Sequence, residues 1–146
     1  MPKVMKGINT IHRCQTIFRG ERLGGELCGA HHLFVFSICS NPGESQEELA
    51  KRLYLNKSTV TRALASLEAN GLVRREVNPN DKRQTLVYPT EKMTELLPRV
   101  RAVAKEWNSL ISDGISEDEL AAFNKVLAKM EENAKAVISG LEDGQK

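Results

Sequence analysis

The residues from Asn56 to Gly71, NKSTVTRALASLEANG, combine hydroxyl-bearing and basic side chains at a spacing that suits contact with a polyanion. At 3.6 residues per turn, Val60, Leu64 and Leu67 share the apolar face of a predicted helix. The opposite face is small, hydroxyl-bearing and basic: Ser58, Thr59, Thr61, Arg62, Ala65 and Ser66. Such a face fits a DNA major groove, roughly 12 Å wide, where it can hydrogen-bond to base edges and phosphates.

Both ends of this helix carry capping signals. Asn56 or Ser58 can cap its start, and Gly71 can end it in the left-handed conformation. An ordinary amphipathic surface helix would show the same pattern, so the neighbouring segments must discriminate between the two interpretations.

Basic side chains are concentrated in the middle of the chain. Between Lys51 and Arg83, eight basic residues stand against three acidic ones, a local net charge of +5 in a chain of 146 residues whose net charge is +2. This distribution indicates an anionic polymer as partner, although a solvated charged surface would have the same composition. The content of 40% hydrophobic and 27% charged residues is typical of a globular domain.

A second, shorter helix is predicted just before the first one. Ser45-Gln46-Glu47-Glu48 is a capping box, S-x-x-E, that opens a helix through Leu53. A tight turn at Tyr54-Leu55 then leads to the helix that starts near Asn56. A short helix, a tight turn and a second helix with a polar outer face predict a helix-turn-helix.

After Gly71 the residue pattern changes from one typical of helices to one typical of strands. Leu72–Val77 and Thr85–Tyr88 are predicted as two strands, and the connecting Asn78–Arg83 is dense in turn formers. A hairpin placed directly after such a helix is a wing.

The connecting segment contains Asp81-Lys82-Arg83. We expect Lys82 and Arg83 at the tip of the hairpin, where an arginine can enter a minor groove. Asp81 can hydrogen-bond the Arg83 guanidinium and fix its direction. A hairpin with ordinary surface charges is the alternative.

The flanking segments are predicted to be helical. Ile8–Leu23 places Ile8, Ile11, Cys14 and Phe18 on one face, which predicts a buried position for Cys14. His31–Cys39 is apolar nearly all round, and Thr90 can cap a long helix that contains Pro98.

The last predicted helix opens with a second capping box, Ser116-x-x-Glu119. It repeats apolar residues at 3-4 spacing, a heptad seam that needs a partner: Leu120, Phe123, Leu127, Met130, Ala134, Val137 and Leu141. The first helix of the same chain or a second copy of the chain could cover it.

Other chemistry finds little support in the spacing of reactive residues. His12, His31, His32, Cys14, Cys28, Glu21 and Glu26 show no H-x₃-H or CxxC pattern, so we predict no metal site and no cofactor. No catalytic motif is present, and we predict that the protein is not an enzyme. No signal peptide or apolar run of membrane-spanning length is visible, so we expect a cytoplasmic protein that binds no membrane.

Ser45 to Lys92 resembles the MarR family of bacterial transcriptional regulators (multiple antibiotic resistance regulators). NKSTVTRALASLE and the D-x-R of Asp81-Lys82-Arg83 are its most specific parts. The flanking helices fit the family's plan in number and order, so the resemblance covers nearly the whole chain. The chain departs from the common family pattern at Gly29-Ala30-His31-His32 and at Pro89-Thr90-Glu91-Lys92-Met93.

The resemblance implies a mainly α fold with a small β-hairpin wing, as one domain over residues 1–146. A winged helix-turn-helix lobe at residues 29–89 would bind double-stranded DNA, and residues 1–28 and 90–146 would form a homodimer. The implied DNA-binding residues are Lys57, Ser58, Thr59, Thr61, Arg62, Ser66, Arg74, Lys82 and Arg83, with Asp81 supporting the wing. The implied dimer interface contains Ile8, Ile11, Leu120, Phe123, Leu127, Met130 and Val137.

Many family members also carry an effector pocket between the dimer helices and the DNA-binding lobe, often for a phenolic or other aromatic acid. The corresponding candidates are His12, Arg13, His31 and Phe34. The hypothesis is therefore a ligand-responsive repressor that binds a pseudo-palindromic operator as a dimer. The alternatives are a redox-responsive regulator acting through Cys14 and a winged-helix module that binds proteins and does not regulate DNA.

Overall fold

The computed structural model describes residues 2–24, 27 and 31–144. They form six helices and three short strands: α1 (Pro2–Leu23), α2 (His31–Ser40), β1 (Glu44–Ser45), α3 (Gln46–Leu53), α4 (Lys57–Ala69), β2 (Val73–Asn78), β3 (Asp81–Pro89), α5 (Glu91–Ile111) and α6 (Glu117–Asp143). The strands form one antiparallel sheet in the order β1-β3-β2. The chain divides into two compact units, residues 1–107 and residues 108–146.

The predicted helices are present, with one difference in extent. α1 begins at Pro2 instead of Ile8. Proline suits the first position of a helix, and Val4 and Met5 lie on the exposed surface, where apolar periodicity gives no signal. The capping box at Ser45 is formed, since its hydroxyl accepts from the backbone N–H of Glu48, whose carboxylate accepts from the backbone N–H of Ser45.

The strand β1 was not predicted, because it contains only two residues. Gly43, just before it, donates its backbone N–H to the carbonyl oxygen of Val87 at 2.8 Å. Its φ is +83°, and a Cβ there would lie 3.1 Å from the Tyr88 ring, so the backbone needs glycine at this position. The third strand widens the predicted hairpin into a small sheet.

The hairpin turn is shorter than predicted, and this moves two candidate residues. β2 ends at Asn78 and β3 begins at Asp81, so the turn consists of Pro79 and Asn80. The Asn78 side chain accepts from the backbone N–H of Asn80 at 3.0 Å, which closes the turn locally. Lys82 and Arg83 therefore lie in strand β3, and the expectation that they form the hairpin tip is wrong.

The core of residues 1–107 holds α4 in place. Its fully buried side chains come from five helices and strands and from the α4–β2 turn: Phe34, Val35, Ile38, Leu49, Val60, Leu64, Leu67, Leu72, Val87, Met93 and Val100. Three of them belong to α4, so burial fixes which face of that helix points outward. In the unit of residues 108–146, α6 opens with the predicted Ser116–Glu119 capping box and contains no buried residue.

Candidate nucleic-acid interface

Helix α4 exposes the face that the sequence predicts. Val60, Leu64 and Leu67 are buried in the core. The opposite face is exposed except for the half-buried Thr59: Lys57, Ser58, Thr61, Arg62, Ala65 and Ser66. The helix is thus oriented by its apolar side, and its hydroxyl-bearing and basic side is open to a partner.

The start of α4 is held by its predicted cap. Asn56 Oδ1 accepts from the backbone N–H of Thr59 at 2.8 Å and from the Ser58 hydroxyl at 2.9 Å. The Thr61 hydroxyl donates to the Lys57 carbonyl oxygen at 2.9 Å. Since both hydroxyl protons are engaged within the helix, Ser58 and Thr61 present acceptor lone pairs outward. An acceptor of this kind suits the exocyclic amino groups of adenine or cytosine.

Arg83 is oriented by a carboxylate on its own strand. Its Nε lies 3.1 Å from Asp81 Oδ1, and its Nη2 lies 3.2 Å from Asp81 Oδ2. The Arg83 backbone N–H also donates to Asp81 Oδ1 at 3.1 Å. These hydrogen bonds lower the pKa of Asp81, which stays charged at neutral pH. The Arg83 side chain remains 89% exposed, so it is directed without being withdrawn from solvent.

The other cations of the wing differ in their surroundings. Arg74 lies over the Tyr88 ring, with its Cζ 4.7 Å from the ring centroid, and pairs with Glu76 on the same strand. Lys82 is exposed. The sequence does not single out the role of Arg75, whose Nε lies 3.1 Å from Glu68 Oε2 and whose Nη1 lies 3.3 Å from Gln46 Oε1. Arg75 therefore joins β2 to α3 and α4.

The end of α4 is joined to the start of α5. The Thr90 hydroxyl lies 2.7 Å from the Gly71 carbonyl oxygen, and Lys92 Nζ donates to the Asn70 carbonyl oxygen at 3.0 Å. Gly71 has a φ of +72°, as its predicted role at the end of the helix requires. These bonds satisfy the carbonyl groups of the two residues that follow α4.

The fold of this chain is similar to that of proteins of known structure. The chain is similar to the solved structure of MarR, with 30% sequence identity and a TM-score of 0.82, over 90% of this chain and 91% of that one. The chain belongs to the MarR family. The sequence pattern of that family matches residues 30–85, which include α2, α3, α4 and most of the wing. The predicted winged-helix architecture, mainly helical with a small wing, is confirmed.

Two further structures of MarR regulators are similar over most of the chain. A MarR transcriptional regulator from Methanosarcina mazei Go1 is 25% identical, with a TM-score of 0.83 over 93% of this chain and 99% of that one. A MarR family transcriptional regulator from Listeria monocytogenes is 28% identical, with a TM-score of 0.75 over 91% of this chain and 87% of that one. The Listeria protein was crystallised in complex with a 26mer DNA.

The residues proposed for an effector pocket of this MarR family member fall into two groups. His31 and Phe34 pack edge to face, with ring centroids 6.3 Å apart, and burial lowers the pKa of His31. His12 and Arg13 are exposed on α1, and within the described residues no hydrogen bond, ion pair or ring contact joins them to the first pair. No sequence pattern singles out Arg19, which is 5% exposed and contacts His32 through Nη1.

The cysteines differ in accessibility. Cys14 is exposed, and the expectation that it is buried in an apolar stripe is wrong because its side chain points away from the core of this unit. Cys39 is half-buried, and burial raises its pKa. Cys28 lies outside the described residues. Across residues 2–24, 27 and 31–144, no group of three His, Cys, Asp or Glu side chains could hold a metal ion.

Both proposed dimer segments carry apolar residues on their surfaces. In α6, Phe123, Leu127, Met130 and Val137 are exposed, and Leu120 is half-buried. In α1, Ile11 is exposed and Ile8 is half-buried. No helix in the described part of the chain is long and apolar enough to cross a membrane.

Proposed function

We propose that this MarR family member is a ligand-responsive transcriptional repressor that binds a pseudo-palindromic operator as a homodimer. One observation carries the DNA-binding part. Lys57, at the start of α4, and Arg83, on the wing, line the same small cleft, together with Ser45, Gln46, Glu47, Gln84 and Thr85. We call this the wing cleft. Because the two cations border one depression, the exposed face of α4 and the wing can meet one duplex.

On this proposal, α4 enters the major groove and the wing follows the adjacent backbone. Arg62 contacts base edges and phosphates, and the outward hydroxyl oxygens of α4 accept from base amino groups. Arg83 enters the minor groove, whose negative potential attracts a guanidinium. Lys57, Arg74 and Lys82 add phosphate contacts. Since phosphate contacts release counterions, the affinity should fall steeply as salt is raised.

The proposed dimer is supported by the unburied apolar seam of α6. α6 has a heptad repeat of apolar residues, but none of its residues is buried. Such a helix is stabilised mainly by packing its apolar face against a partner. Residues 1–28 and 90–146 would supply the dimer interface, and residues 29–89 the DNA-binding lobe. A two-fold dimer would place its two α4 helices about 34–36 Å apart, one turn of DNA.

The proposed ligand response is supported by a buried cation near aromatic surface. Arg19 has no carboxylate partner within the described residues, and burial lowers the pKa of its guanidinium. His31 and Phe34 provide aromatic surface on the helix that also carries His32, the contact of Arg19. A phenolic acid could supply the missing negative charge. It would release DNA only if it bound better to a form whose α4 helices are wrongly spaced.

A redox-responsive regulator is the second candidate, favoured by the exposure of Cys14. An accessible thiol can be oxidised, whereas the half-buried Cys39 is protected. The distinguishing result would be loss of DNA binding after peroxide treatment in the wild type and its retention in Cys14→Ser.

The main experiment measures DNA binding directly. A duplex selected by the wild-type chain from a random-sequence pool is labelled, and binding is followed by fluorescence anisotropy at several salt concentrations. Arg83→Ala should weaken binding several-fold while sedimentation still reports the wild-type assembly. Lys125→Ala, which removes the same charge from an exposed position of α6, should bind as the wild type does. Unchanged affinity of Arg83→Ala would refute the wing assignment, and failure to select any duplex would favour a protein-binding module.

The ligand response has its own test. Hydroxybenzoic acids should release the labelled duplex, and the matching benzyl alcohols, which lack the carboxylate, should not. Arg19→Gln should bind the duplex but lose the response to the acids. Release by acids and alcohols alike would argue against Arg19 as the counterion.

A further inference from the structure

The wing cleft contains hydrogen-bond donors that the protein itself leaves unused. It has a volume of about 70 Å³ and lies between the starts of α3 and α4 and strand β3. About 10–15 Å³ is enough for one water molecule, so the cleft has room for a tetrahedral phosphate group. Its lining includes two cations, Lys57 and Arg83, and one anion, Glu47, so its formal charge is +1.

The amide of Gln84 is oriented by its neighbours in the wing. The Asn78 side chain accepts from the backbone N–H of Asn80, which identifies its oxygen, and its NH₂ group then donates to Gln84 Oε1 at 2.9 Å. With its oxygen engaged, Gln84 keeps both N–H donors of Nε2, and no acceptor for them is found in the described part of the chain.

Gln46 is oriented in the same way by a different donor. Arg75 Nη1 donates to Gln46 Oε1 at 3.3 Å, and a guanidinium has no acceptor, so the amide oxygen must face Arg75. Its NH₂ group is left for the cleft. Two oriented amide donors and two cations around one depression make a site for an oxyanion.

We propose that the wing cleft binds one phosphate of the DNA backbone, with the side-chain amides of Gln46 and Gln84 as donors, Lys57 as the counter-charge, and Arg83 passing its border on the way to the minor groove. This proposal rests on the proposed DNA binding and adds a contact to it. The phosphate would lie between the part of the duplex read by α4 and the part reached by the wing. It would therefore set the position of one relative to the other without reading a base itself.

The test uses two amide-to-carboxylate variants. In Gln84→Glu, one carboxylate oxygen can still accept from Asn78, but the other replaces the donor with a negative charge. In Gln46→Glu, the new carboxylate pairs with Arg75, so this variant should unfold at no lower temperature than the wild type. Both should bind the selected duplex at least about ten-fold more weakly, with the slope of log K against log salt reduced by about one. Asn108→Asp, an equal charge change at an exposed residue of α5, should bind as the wild type does.

The phosphate is identified by replacing each phosphate of the selected duplex in turn with a neutral methylphosphonate. One replacement per half-site should weaken binding of the wild type but strengthen binding of Gln84→Glu, because it removes the repulsion. If the wild type binds the duplex and both variants match it in affinity and methylphosphonate pattern, the phosphate assignment is overturned and DNA binding stands. If the wild type selects no duplex, the proposed function itself has failed.

A free anion is distinguished by a titration without DNA. Inorganic phosphate, compared with chloride at equal ionic strength, is followed through the NMR signals of the Gln84 side-chain amide. Saturable shifts at millimolar phosphate, with an unchanged methylphosphonate pattern in the variants, would assign the cleft to a free anion and overturn the DNA contact.

Discussion

Arg75 Nε lies 3.1 Å from Glu68 Oε2, and Arg75 Nη2 lies 3.1 Å from Glu68 Oε1. This paired contact joins strand β2 of the wing to the last turn of α4, across the turn at Gly71. Gln46, at the start of α3, accepts from the third nitrogen of the same guanidinium. One side chain of β2 therefore bonds to both α3 and α4, so that it joins three elements around the candidate interface.

Replacing Arg75 should lower the stability of the protein. Arg75→Met keeps the length of the side chain but loses the contacts to Glu68 and Gln46, and we expect it to lower the free energy of unfolding by about 1 kcal/mol. Urea denaturation of Arg75→Met, Glu68→Gln and the double variant would measure the coupling between the two residues. Additive effects of the two single changes would show that the pair contributes nothing.

The same pair should make stability depend on pH in the acid range. Hydrogen bonds from Arg75 lower the pKa of Glu68 below its usual value near 4.5. The unfolded chain then binds more protons, so stability rises with pH across the interval between the two pKa values and is lost as pH falls through the lower one. The wild type should exceed Glu68→Gln at pH 7 by well under 1 kcal/mol, because Glu68 is partly exposed. Denaturation at a series of pH values from 7 into the acid range should show this difference shrink as pH falls below the usual pKa of Glu68.

Replacing Asp81 should weaken DNA binding, although the change in net charge alone would strengthen it. Asp81→Asn adds one positive charge to the wing, which by itself would favour DNA, but it loosens the Arg83 guanidinium. We expect the affinity for a selected duplex to fall several-fold, since orientation matters more than one added charge. Asp113→Asn, which makes the same charge change at an exposed residue, should bind no more weakly than the wild type. Tighter binding of Asp81→Asn would refute the orienting role.

Thr90 should contribute more to stability than Thr94 does. Its hydroxyl lies 2.7 Å from the Gly71 carbonyl oxygen and accepts from the backbone N–H of Met93. Thr90→Val removes both contacts at nearly constant volume and should cost about 1–2 kcal/mol in thermal or urea unfolding. Thr94→Val is the control, because the Thr94 hydroxyl donates to the Thr90 carbonyl oxygen, four residues earlier, and does not contact Gly71. Equal effects of the two changes would indicate that the contact to Gly71 is not stabilising.

The apolar seam of α6 leads to a prediction about the stability of the dimer. Phe123 is exposed in the single chain, and Phe123→Asp should weaken a dimer at least about thirty-fold, as loss of a central apolar contact does. Ala121→Asp adds the same charge on the opposite face of the helix and should leave the assembly unchanged. Sedimentation over a range of concentrations compares them. A dimer of Phe123→Asp as stable as that of Ala121→Asp would remove the seam from the interface.

The sequence by itself determined the features that depend on a few neighbouring residues. The capping boxes at Ser45 and Ser116, the cap at Asn56 and the outward face of α4 follow from side chains that meet within one or two turns. The pairing of Asp81 with Arg83 belongs to this class, since the residues are two positions apart and both the backbone N–H and the guanidinium of Arg83 donate to the Asp81 carboxylate. The MarR resemblance was also visible, because its most specific residues are contiguous.

Only the tertiary structure decided which distant groups meet. Arg75 and Gln46 are 29 positions apart, and Arg19 and His32 are 13 apart, so no local pattern records either contact. The two-residue turn at Pro79-Asn80, which moved Arg83 into a strand, was decided by the register of β2 against β3. The wing cleft has the same origin. Burial of α2–α5 around one core brings the starts of α3 and α4 against β3, and side chains that are unremarkable in sequence then surround a common space.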